Sequence, residues 1–159
     1  MLRETKVRQL LDAAEQSARA GHRRRATFFY RRIVAVTQPT DWEHELAHAR
    51  LGALHLAQGQ AALAVAHLGR ARALSPEEPT YALSVGQAQF ALGHTDAARS
   101  PLFDALASGP CRAEALRLLV ESAEASGDRE AARALARIAA RESPTAPWAR
   151  VLARDYADA

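Results

Sequence analysis

A chain of 159 residues that is 48% hydrophobic but only 6% aromatic can bury a core, and it is expected to form one domain over 1–159. Its start, MLRETKVRQLL, scatters charges among apolar residues, unlike a signal peptide, and no apolar run approaches the roughly 20 residues that cross a bilayer. The net charge of +3 is uneven: residues 1–32 hold nine basic and three acidic side chains, residues 33–110 hold four and seven, and residues 111–159 hold eight of each.

The predicted elements follow one another as helix pairs. The first covers 7–40, with Gly21 between its helices and Ala26 and Tyr30 in the second helix. The next three cover 45–78, 79–112 and 113–146. In these, Gly59, Gly93 and Gly127 recur every 34 residues, as do Ala64, Ala98 and Ala132, and Pro76, Pro110 and Pro144. Gly52 and Gly86 form one more matched pair at that interval. The first repeat departs slightly: Pro39 comes one residue late, and Asp41 to His44 are inserted before the second repeat.

Each column has a physical reason. The mid-repeat glycine ends the first helix, because a left-handed residue there costs glycine least. The alanine five residues later opens the buried stripe of the second helix, and Gly52 and Gly86 let the two helices approach. Proline cannot continue a helix interior, so it closes the repeat. Asp128 and the pair Thr95 and Asp96 stand where N-caps are wanted. Beyond the repeats, Trp148, Val151, Leu152 and Tyr156 lie at helical spacing, so a ninth, capping helix is expected over about 147–157. Abundant alanine agrees with helix throughout, and no stretch reads as a strand.

Residues 44–48 spell H-E-x-x-H, which on a helix puts two imidazoles on one face with a glutamate beside them. A zinc metallopeptidase would use His44 and His48 as ligands and Glu45 as general base. The longer H-E-x-x-H-x-x-G-x-x-H pattern is missed, since Gly52 and His55 each come one residue late. In the repeat register His48 and His55 occupy packing columns, and His44 falls in the inserted segment just before the helix, exposed. No catalytic residue, metal ligand or cofactor is therefore expected. Cys111, the single cysteine, excludes an internal disulfide and fits a cytoplasmic location; it is expected in a turn after Gly109 and Pro110. No glycine-rich phosphate loop, C-x-x-C or G-x-S-x-G is present.

The run HRRRATFFYRR, His22 to Arg32, should bury Ala26, Phe29, Tyr30 and Ile33 on one stripe. Arg24 and Arg31, and Arg25 and Arg32, then lie on the other side around Phe28. This solvated face could receive an acidic partner or single-stranded nucleic acid, but it matches no nucleic-acid motif, and nucleic acid is not the expected partner.

The four recurring columns at a 34-residue period resemble the tetratricopeptide repeat family over residues 7–146. Where that family favours large aromatic residues in its first helices, this chain has Leu10, His48, Ala82 and Leu116, and then Ser17, His55, Gln89 and Ala123. The resemblance implies an all-α, right-handed solenoid of four helix pairs plus the capping helix, whose first helices line a concave protein-binding groove. The lining positions implied are Leu11, Glu15 and Ala18; Ala49, Ala53 and Leu56; Leu83, Gln87 and Phe90; and Arg117, Glu121 and Glu124. Arg8, Arg19 and Arg50 flank one end. The family's chaperone adaptors clamp a carboxylate with lysine, asparagine and arginine, a set absent here, so that role is not expected. The implied function is a non-enzymatic scaffold holding a protein or peptide partner, and self-association stays among the alternatives. The stretch EEPTYALSVGQAQFALGHTDAA is also similar to tetratricopeptide chaperones of type III secretion translocators.

Overall fold

The computed structural model describes residues 2–107 and 109–156, with the side chains of 2, 152 and 153 outside that description. The described residues form nine α-helices and no strand. They are α1 (Leu2–Arg19), α2 (Arg23–Val36), α3 (Trp42–Leu56), α4 (Ala61–Leu74), α5 (Pro79–Ala91), α6 (Thr95–Ala105), α7 (Gly109–Ala125), α8 (Arg129–Glu142) and α9 (Pro147–Asp155). They fall into two compact units, residues 1–77 with two helix pairs and residues 78–159 with two pairs and α9.

The turn inside each pair is the same. Gly21, Gly59, Gly93 and Gly127 all have φ between +71° and +78°. The residue after each glycine donates its N–H five residues back, to Ser17, His55, Gln89 and Ala123 carbonyls at 2.9–3.0 Å. This is the Schellman closure, which satisfies a carbonyl that the helix end would leave bare. A side chain at these positions would strain the left-handed backbone, so the period in the sequence is a period of turns.

The alanine column is buried as expected: Ala26, Ala64, Ala98 and Ala132 are fully covered. At Gly52 a Cβ would stand 2.4 Å from Leu68 Cγ, and at Gly86 it would stand 2.5 Å from Leu102 Cδ2. The first helix of each of these pairs therefore lies directly on a leucine of the second. In the N-terminal unit the core joins Val7 and Ala14 of α1, Ala26, Tyr30 and Ile33 of α2, and Ala47 and Leu51 of α3. In the C-terminal unit Ala98 and Leu102 of α6 meet Leu118 and Leu119 of α7. Ser122, fully buried, donates to the Thr95 carbonyl at 2.9 Å and fastens α7 to the start of α6.

Several expectations are corrected. The inserted segment does not precede the helix: Trp42, Glu43 and His44 extend α3 by most of a turn, and His44 is half-buried. Asp41 is the residue before that helix, and its carboxylate accepts from Gln38 N–H and pairs with Arg3 at 2.7 Å. Thr95 and Asp96 are not N-caps, because α6 begins at Thr95 with His94 before it. Pro110 does not close its repeat but stands in the first turn of α7, where proline's missing N–H costs nothing. Cys111 is buried in that same first turn, packed with Ala82, Ala105 and Ala115. The capping helix runs Pro147–Asp155; Ala149 is fully buried, Val151 is exposed, and residue 157 lies outside the described residues, as does the Leu152 side chain.

Asp128 does cap α8, accepting from Ala131 N–H at 3.0 Å. Asp128→Ala is expected to cost about 1 kcal/mol, read from the urea midpoint. Asp128→Asn should recover most of it, and an Ala variant as stable as the parent would remove the cap from the account.

Candidate functional site

Within the N-terminal unit, Glu15 of α1 ties three helices together. It accepts from the Tyr30 hydroxyl of α2 at 3.0 Å and pairs with Arg50 Nε of α3 at 3.2 Å. Burial and the Glu15 carboxylate raise the Tyr30 phenol above its ordinary range, so it stays a donor. Arg8, Arg19, Arg50 and Ala53 are exposed and Ala49 is half-buried. First helices α1 and α3 thus share a face joined by an ion pair.

Within the C-terminal unit, Arg117 of α7 donates to Glu114 at 2.6 and 2.9 Å and also bonds Glu121. Hydrogen bonding from Arg117 holds the Glu114 carboxyl below its usual range. Gln87 of α5 donates a long bond, 3.5 Å, to Glu114, so α5 and α7 share polar residues as well. Glu124 accepts from the Tyr156 hydroxyl at 2.6 Å. The acidic character expected around Glu121 and Glu124 is therefore largely engaged by Arg117 and Tyr156. Leu83 and Phe90 are half-buried and both pack on the Ala98, Leu102, Leu118 and Leu119 cluster, so each serves core and surface at once.

The histidines form a cluster that sequence reading half anticipated. The His44 and His48 rings meet edge-on at 4.9 Å, His48 Nδ1 lies 3.0 Å from His67 Nδ1, and His67 stacks on His55 at 5.5 Å between centroids. His67, on α4, was missed, although its place three residues after buried Ala64 and one before buried Leu68 marks it as inward-facing. His48 is held down to about 4, first by burial and then by His67, His44 and Arg70. Burial lowers His67 too, with His55 and Arg31 adding to it.

The H-E-x-x-H residues are committed to other bonds. The Thr37 hydroxyl gives its proton to the Ile33 carbonyl at 2.7 Å and so accepts from His44 Nδ1 at 3.0 Å. Glu45 accepts from the Ser75 hydroxyl at 2.6 Å. Among the described residues, no group of three or more His, Cys, Asp or Glu side chains is arranged to hold a metal ion. None of the described helices is long and apolar enough to cross a membrane.

No protein-family model matches the chain, and no curated protein does. Solved structures do match. A double mutant of MamA RS-1 superposes with TM-score 0.84 at 15% identity, covering 96% of this chain and 86% of that one. The TPR-like repeats of a Podosopora anserina putative kinesin light chain give 0.73 at 19% identity, covering 96% and 84%. A Thermobaculum terrenum O-GlcNAc transferase mutant gives 0.72 at 26% identity over 89% of this chain, which spans only 27% of the transferase's length. With its 34-residue register, its four glycine turns and these likenesses, the chain is an all-α protein with the tetratricopeptide-repeat fold.

Proposed function

We propose that the chain is a non-catalytic protein-interaction module that holds a segment of a partner protein against its first helices. The observation that carries this reading is the composition of those faces. In the N-terminal unit, small residues Ala49 and Ala53 stand beside the Glu15–Arg50 pair. In the C-terminal unit, half-exposed Leu83 and Phe90 accompany the Glu114–Arg117–Glu121 set. Shallow apolar positions bordered by fixed charges suit a segment with a few apolar anchors, acidic toward Arg8, Arg19 and Arg50. The fold supports the same reading, since packed helix pairs offer breadth rather than a deep pocket.

Shallow docking of this kind implies roughly micromolar affinity, about −8 kcal/mol. The partner is found by crosslinking in the native host followed by mass spectrometry, and then tested by titration. Phe90→Ala is expected to weaken it by about 1–2 kcal/mol. Because Phe90 also packs on the core, Phe90→Leu serves as the packing control and thermal melting checks the fold. Arg24→Ala, on α2, should leave this partner unaffected. A partner that ignores Phe90, Arg50 and Gln87 substitutions while the fold holds overturns the proposal.

A further inference from the structure

Helix α2 carries five arginines, Arg23, Arg24, Arg25, Arg31 and Arg32, and no acidic residue. All five are exposed, and the structure gives none of them a carboxylate partner among the described residues. Arg25 instead rests over the Phe29 ring, 5.7 Å from its centroid. Three of the five occupy the first turn, where the positive end of the helix dipole repels them. Such an arrangement opposes helix stability and is relieved by an anion from outside the chain.

The same helix shows an aromatic to solvent. Phe28 is 59% exposed, and it stands one turn from both Arg24 and Arg31. Facing it are Gln58 and Gln60 from the turn between α3 and α4, and His55 from the end of α3. Together with Thr27 these residues line a cleft of about 320 Å³. His55 is only 3% exposed, and its Nδ1 is bonded to Gln60 Oε1 at 2.6 Å. Its Nε2 is buried with no hydrogen-bond partner among the described residues. The cleft therefore sets two guanidiniums that have no carboxylate partner beside an exposed aromatic ring and two glutamine amides.

We propose that this cleft docks an acidic segment of a partner protein, an Asp- and Glu-rich stretch with one apolar anchor. Carboxylates engage Arg24 and Arg31, whose planar guanidiniums can grip both carboxylate oxygens. The apolar anchor lies on Phe28, and the side-chain amides of Gln58 and Gln60 meet the backbone of the segment. A peptide suits the site better than a nucleic acid strand. Single strands are held by successive aromatic platforms, whereas this cleft has one exposed aromatic flanked by glutamine amides suited to a peptide backbone. The surface is centred on a second helix, and none of the residues lining it belongs to the first-helix face proposed above.

The test uses a short fluorescein-labelled peptide of aspartate and glutamate around one phenylalanine, followed by anisotropy at low and moderate salt. The full chain should bind it, more weakly as salt rises. Arg24→Glu with Arg31→Glu should weaken binding at least tenfold, and Phe28→Ser at least threefold. Arg137→Glu with Arg141→Glu, an equal charge change on exposed residues of α8, should change it less than twofold, and Phe90→Ala should do the same. All these substituted residues but Phe90 are exposed, and circular dichroism confirms the fold of each variant. The proposal is overturned if the acidic peptide fails to bind or if the α8 pair loses as much as the α2 pair. It is equally overturned if Phe28→Ser is neutral, or if an oligothymidine strand of the same charge binds more tightly and is lost with the same arginines.

Discussion

Gly52→Val is expected to lower the unfolding free energy by about 3 kcal/mol, and Gly52→Ala by about 1–2 kcal/mol, both read from urea midpoints. Helix propensity alone points the other way, because alanine in a helix interior is better than glycine by about 1 kcal/mol. Packing decides the sign. The new Cβ would stand 2.4 Å from Leu68 Cγ, 2.8 Å from its Cδ2 and 3.1 Å from its backbone nitrogen. The nearest obstruction is the branch point of a fully enclosed leucine beside its own backbone, so no simple rotamer change clears it. Gly69, on α4, is the internal comparison, since a Cβ there meets nothing within 4 Å. Gly69→Ala should therefore stabilise, by up to about 1 kcal/mol. If Gly52→Ala and Gly69→Ala shift stability alike, the close approach of α3 and α4 is not what that glycine serves.

The second large effect is acid sensitivity of the histidine cluster. His48 has its folded value at about 4, below the ordinary value near 6.5, and His67 is lowered as well. Between those limits the unfolded chain binds more protons than the folded one. The stabilisation is thus fully present above about pH 6.5 and is lost as the pH falls toward 4. The groups around the pair reinforce this: Arg31 comes from α2, His44 and His55 from α3, and Arg70 from α4, while the nearby Glu45 carboxylate is bonded to Ser75. Both rings are only half-buried, and solvent screening reduces the loss to about 1–2 kcal/mol for the pair. The measurement is a series of urea midpoints from pH 7.5 to 5, a window above that of carboxylates such as Glu114. His48→Gln with His67→Gln should flatten the dependence. An unchanged slope in that variant would place the acid response elsewhere.

The helix pairs were legible because the elements that repeat are local. A left-handed glycine and a proline near the boundary are each demanded by backbone geometry within one turn of themselves, and the alanine five residues on opens a stripe at helical period. Spacing therefore reveals them without any knowledge of neighbours. The insertion at Asp41 to His44 was visible as a broken period, yet its form was not. Whether extra residues lengthen a loop or a helix depends on what they touch, and here His44 finds Thr37 while Asp41 finds Arg3 and the Gln38 amide.

The candidate site residues divide in the same way. Their placement on first helices follows from the period. Their chemistry follows only in part: Arg117 stands three and four residues from Glu114 and Glu121 on one helix, a spacing that already pairs them, whereas Gln87 looks free in sequence and bonds Glu114 across 27 positions. Glu124 likewise looks free until Tyr156 reaches it across 32 positions. Phe90 reads as a groove residue, while it also packs on the cluster of Ala98, Leu102, Leu118 and Leu119, which only helix packing assembles. His44, Glu45 and His48 have the spacing of a metal motif, although the repeat register already places His48 in a packing column. In the folded chain the first bonds to Thr37, the second to Ser75 and the third to His67. The all-α class, the four turns and the alanine stripe can be read from residue order alone, since these depend on φ angles and helical periodicity. Which charges pair from one helix to another, which histidines touch and which arginines are left facing solvent emerge only in the folded chain, since these depend on side chains meeting across helices.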